Sequence, residues 1–137
     1  MLLAVRPTEP NPRVWAISGA LVHAGVEPIV CHVVMRSTTR AANESDGAPA
    51  NPEELAIVQE LRRSLQEAWV AAGRTTPIHI LHGDPGQRIC EYAIYADCDL
   101  IVLGTHSART ALATWVRGSV TRYVVGNFRR SVLVIGD

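Results

Sequence analysis

Asp99-Leu100-Ile101-Val102-Leu103-Gly104 is an aliphatic run without polar alternation, bounded by an aspartate and a glycine. A strand with one wet face alternates apolar and polar side chains, whereas a strand buried on both faces is aliphatic throughout. Leu100 to Leu103 therefore predicts a strand inside a sheet that carries helices on both sides. Leu2 to Val5, Pro28 to Val34, Ile78 to His82 and Val132 to Ile135 are read the same way.

The stretches between these strands read as helices. Asn11 can cap a helix opened by Pro12, with Val14, Ile17, Leu21 and Val22 on the inner face and Gly25 as a stop. Arg36 to Ala50 has no apolar period and reads as a loop. Leu55, Val58, Leu61, Leu65 and Trp69 mark the stripe of a second helix ending near Gly73. Asp84-Pro85-Gly86-Gln87 supplies a cap, a first-turn proline and a third-position glutamine for a helix that turns Ile89, Ala93 and Ala96 inward. A last helix is predicted from about Ser119 to Val125, with Gly126 as its stop. Strands alternating with helices make this an α/β fold, a doubly wound parallel sheet, whose ligands sit at the carboxyl ends of the strands where the winding reverses.

With 137 residues, 47% apolar and 19% charged, residues 1–137 are expected to form a single globular domain. The net charge of zero offers no general field for nucleic acid or an anionic membrane. Leu2 to Val5 is too short for a signal or a membrane span, so a cytoplasmic location is expected. Cys31, Cys90 and Cys98 form no C-x-x-C pair and are expected as buried, unpaired core residues.

His82-Gly83-Asp84-Pro85-Gly86-Gln87, Ala96 to His106, Gly118-Ser119-Val120-Thr121-Arg122 and Ser131 to Ile135 together resemble the universal stress protein family. The His32-Val33-Val34 end of the second strand does too. The resemblance implies a five-stranded parallel sheet in the order 3-2-1-4-5, helices on both faces, in the manner of the adenine nucleotide α-hydrolases. It also implies, as in many members, a homodimer joined through the last strand, here Val132, Leu133, Val134 and Ile135. An aliphatic edge strand would gain from such cover; the other reading is a monomer whose edge Arg129, Arg130 and Asp137 protect.

ATP-binding members resemble one another in a motif spaced G-x2-G-x9-G-[S/T], in which glycines let phosphate approach the backbone and helix amides meet the anion. Gly104 matches the first glycine and Gly118-Ser119 the closing pair. Ser107 or Ala108, depending on register, replaces the middle glycine, and the loop is one residue longer. Arg6 falls where those members carry a nucleoside-binding aspartate; a second register would retain an acid as Glu9. The resemblance thus marks Arg6, Val33, Leu103, Gly104, Ser107, Ala108, Gly118, Ser119 and Val120 as candidate nucleotide contacts, with ATP or AMP as the ligand.

No nucleophile elbow, zinc-protease motif or P-loop occurs, and the chain has no lysine. His79 and His82 lie three apart on a strand, hence on opposite faces, and no metal is expected. Asp97 and Asp99 precede the fourth strand, at the end away from the predicted cleft, and read as turn residues. His106 follows that strand and reads chiefly as a solvated loop residue. The sequence therefore predicts no catalytic residue and no efficient enzyme. It points to a stress-response regulatory module, a dimer with a degenerate nucleotide site that engages another protein. The alternatives are an ATP or AMP sensor with a modified site, and a slow nucleotide hydrolase.

Overall fold

In the computed structural model, residues 1–5, 12–34, 76–105 and 111–136 are described, the last with backbone only over 111–118, together with Ala56, Gln59, Glu60, Arg62, Arg63, Gln66, Glu67, Val70 and Gly73. Five strands, β1 (Leu2–Ala4), β2 (Ile29–Val34), β3 (Ile78–His82), β4 (Leu100–Gly104) and β5 (Ser131–Ile135), form one sheet in the order β3-β2-β1-β4-β5. Every neighbouring pair is parallel. The helices are α1 (Pro12–His23), α2 (Pro85–Tyr95) and α3 (Ala111–Asn127). Ala56, Gln59, Glu60, Arg62, Arg63, Gln66, Glu67 and Val70 are also helical. The rest of the expected second helix and its stripe, and the loop expected at 36–50, lie outside the described residues.

Alternation along the strands sorts the core into two layers. Leu2, Cys31, Ile101 and Leu103 pack with Ile89, Cys90 and Ala93 of α2 and Val124 of α3. Leu3, Val5, Val30, Val102 and Ile135 face the other way, onto Val14 of α1. The sheet thus has helices on both faces, as the aliphatic strands require.

Local signals place the helix ends. Asp84 Oδ1 accepts the Gln87 amide at 2.9 Å, capping α2. The Gln87 side chain does not return to the cap; its Nε2 donates to Glu91 Oε1 at 2.7 Å. At the end of α1, the Gly25 amide donates to Val22 and that of Val26 to Leu21, a left-handed close that Gly25 permits with φ of 92°. Gly86 is required for a different reason: a Cβ there would stand 2.9 Å from both Cβ and Cγ of Tyr123. The first turn of α2 and the middle of α3 are in direct contact at this point.

Two expectations shift. The buried face of α1 runs through Val14 and Ser18 rather than Ile17, which is 38% exposed. Val14, Ser18 and Leu21 follow the i, i+4, i+7 row of a helix, and Ile17 falls at its flank. The last helix begins at Ala111 instead of near Ser119 and ends at Asn127. Asp97 and Asp99 do lie at the amino end of β4 as turn residues. Asp97 is left-handed with φ of 50°, and Arg130 donates to its Oδ1 at 2.7 Å and to the Cys98 carbonyl at 3.0 Å.

Ser18 is fully buried and its hydroxyl has no hydrogen-bond partner among the described residues. Replacing it with alanine removes an unsatisfied donor and improves helix propensity. Ser18→Ala is expected to raise stability by about 1 kcal/mol in urea unfolding. The three cysteines are buried and free. Burial, with a smaller effect of Cys98, pushes the Cys31 thiol from the ordinary 9.0 up to about 12. Between those values the folded state holds a proton that the unfolded chain releases. Stability is therefore whole below 9.0 and falls as pH rises towards 12, by up to about 1.4 kcal/mol per pH unit. Cys31→Ala should flatten that alkaline decline, measured as the urea midpoint against pH.

Candidate functional site

The winding of the sheet reverses between β1 and β4, which are direct neighbours. Their carboxyl ends, at Val5 and Gly104, mark the place where such folds accept a ligand. β4 closes with the Thr105 amide donating to the Ile135 carbonyl at 2.8 Å, so this amide is committed to β5. β1 closes with the Val5 amide on the Cys31 carbonyl at 2.9 Å. The Val5 carbonyl then accepts the ring Nδ1 of His32 at 2.8 Å.

Three of the expected contact residues share one core layer. Leu103 is buried in the layer beneath α2 and α3, and Val33 and Val120 pack against that same layer. Gly104 ends the strand that carries Leu103 and pairs with Ile135. Arg6, Ser107 and Ala108, with Glu9, Arg109 and His106, lie outside the described residues.

Gly118 and Ser119 lie within α3, as its eighth and ninth residues. An amide at that depth is engaged by the carbonyl four residues before it, whereas only the first turn has amides to offer an anion. The physical reason is local: Ala111-Leu112-Ala113 and Arg117 are strong helix formers that can carry the helix back through the glycine, at a cost of about 1 kcal/mol for glycine in the interior.

Sequence reasoning took His32 as one of the residues carrying the family likeness and missed the work of its ring. The available signal was a lone imidazole within Ile29-Val30-Cys31-His32-Val33-Val34. Tyr123 was also missed, because its contact with Gly86 joins two helices far apart in sequence. His79 rests against Tyr92 with ring centroids 5.5 Å apart. No group of three His, Cys, Asp or Glu among the described residues is arranged to hold a metal ion. None of the described helices is long and apolar enough to cross a membrane.

The edge strand β5 is unevenly covered. Ile135 is buried, Val132 packs on one core layer and Leu133 on the other, and Val134 is 40% exposed. Arg130, one of the residues that the monomer reading assigns to this edge, donates to Asp97 and the Cys98 carbonyl.

The family model described as universal stress protein family matches residues 3–136. A search of curated proteins found no significant match. Among solved structures, a universal stress protein from Archaeoglobus fulgidus superposes with a TM-score of 0.68 at 21% identity, covering 98% of this chain and 96% of that one. The Archaeoglobus fulgidus universal stress protein in complex with dAMP gives 0.64 at 20% identity, over 98% and 94%. A universal stress protein in complex with cAMP gives 0.65 at 18% identity, again over 98% and 94%.

The contact between Gly86 and Tyr123 seats the helix that carries Gly118, Ser119 and Val120. Gly86→Ala is expected to cost about 1 to 3 kcal/mol, as overpacking does, and to lower the urea midpoint accordingly. Restoring space with Gly86→Ala/Tyr123→Ala should recover part of that loss.

Proposed function

Because the chain belongs to the universal stress protein family, we propose that it is a regulatory module of the stress response, acting as a dimer with a degenerate nucleotide site. The observation that carries the second half of this reading is the course of α3. With Gly118 and Ser119 inside the helix, a phosphate could meet their amides only if the helix opened ahead of them. Arg6 in place of an aspartate and Ser107 or Ala108 in place of a glycine point the same way. Protein contacts rather than turnover then become the output.

The dimer reading is supported by the position of β5 at the end of the sheet, with no further strand beside it among the described residues, and by the exposed Val134, with Arg130 engaged with Asp97. A two-fold partner strand would pair the open backbone groups and cover the valine.

A second reading, an AMP or ATP sensor, is favoured by Val33, Leu103 and Val120 sharing one core layer. Two neighbouring folds that carry dAMP or cAMP support it as well.

Native mass spectrometry of the purified protein separates these readings. The expected spectrum is a dimer without nucleotide, shifted to monomer by Val134→Arg, and calorimetry with ATP and AMP is expected to show no micromolar site. A nucleotide-loaded species, or micromolar binding abolished by Gly118→Val, overturns the degenerate site in favour of the sensor. A wild-type monomer at high concentration overturns the dimer.

A further inference from the structure

We propose that His32 is a positioning residue of the sheet's carboxyl rim, whose ring fixes where the chain leaves β1. The inference deepens the reading of that rim as a ligand site and rests on it for its functional half.

β1 and β2 pair in parallel through Leu2 with Ile29, Leu3 with Val30 and Ala4 with Cys31. The last backbone rung is the Val5 amide on the Cys31 carbonyl. In a parallel ladder the amide and carbonyl of one residue point to the same neighbour. The Val5 carbonyl therefore faces β2, away from the cleft between β1 and β4. His32 Nδ1 lies 2.8 Å from it, between residues 27 apart in sequence. A carbonyl can only accept, so Nδ1 carries the proton.

The bond is part-buried, and the Val5 side chain is itself buried in the layer beneath α1. A buried carbonyl without a donor is costly, and the nearest ladder strand is β2. The imidazole satisfies it from the side chain and so ends the ladder at Val5 without leaving an orphan. Val33, next along β2, packs with Leu103 on the opposite layer. The residue that ties down β1 is thus adjacent in sequence to one that lines the rim. An aliphatic residue at position 32 would suit the strand as well and would remove this bond.

The test uses the full chain and three variants. Imidazole nitrogen NMR of the wild type is expected to show a proton on Nδ1; a ring protonated at Nε2 alone overturns the proposal. In His32→Leu, amide exchange at Val5 is expected to quicken by about tenfold, the loss of one ordinary hydrogen bond. Exchange at Leu3, Val30 and Ile101 should change far less. His32→Asn, whose Nδ2 can stand near the position of Nδ1, should restore the wild-type pattern, whereas Ile101→Val should loosen the sheet evenly. Uniform acceleration in His32→Leu, no acceleration, or failure of Asn to restore protection while the variant remains folded each overturns the positioning role. Titration with AMP forms a separate arm: absence of binding by the wild type speaks against the sensor reading alone, because the exchange pattern still decides the role of His32.

Discussion

The structure depends on the burial of β1 on both faces. Leu2 and Leu3 are adjacent, point to opposite sides of the sheet, and are both fully buried. A three-residue strand so placed cannot sit at an edge or face water. Helices must cover both sides, and the remaining strands must pair on both of its flanks. The parallel neighbours β2 and β4 meet that demand, and the reversal of winding between β1 and β4 follows from it. The location of the candidate site is a consequence of this central strand, before any contact residue is considered.

At the rim, two tendencies compete over the same residues. Glycines at 104 and 118 suit a backbone that closes around an anion, while Ala111-Leu112-Ala113 and Arg117 ahead of Gly118 favour a helix. In the structure the helix prevails, and the amides at 118 and 119 lie inside it. Val33, Leu103 and Val120 nevertheless share one core layer. Two donors described at the rim are engaged within the sheet: the Thr105 amide with the Ile135 carbonyl, and His32 Nδ1 with the Val5 carbonyl.

The charged residues illustrate how sequence position misleads about use. Arg130 precedes an edge strand and could have shielded it, yet it bridges the turn before β4 through Asp97 and the Cys98 carbonyl. The left-handed Asp97 is held on its exposed side by that contact, an exposed ion pair whose main effect is on geometry. The cysteines behave as expected of small apolar residues: burial raises the pKa of all three, which keeps them protonated and poor nucleophiles.

Strand positions, the sheet order implied by the family likeness, and the caps at Asp84 and Gly25 were legible in the sequence. Each is decided by residues within a few positions of one another or by the two-sided burial of a whole strand. The burial of Ser18 in place of Ile17, the meeting of Gly86 with Tyr123, the recruitment of Arg130 and the ring of His32 on Val5 were not. Each is a choice among partners brought together only when the helices settle on the sheet. Helix period alone leaves the facing row uncertain by one position, and a side chain's partner follows from its neighbours in space. Local chemistry determined the elements and their order, whereas packing across the sheet decided which polar groups at the rim remain available.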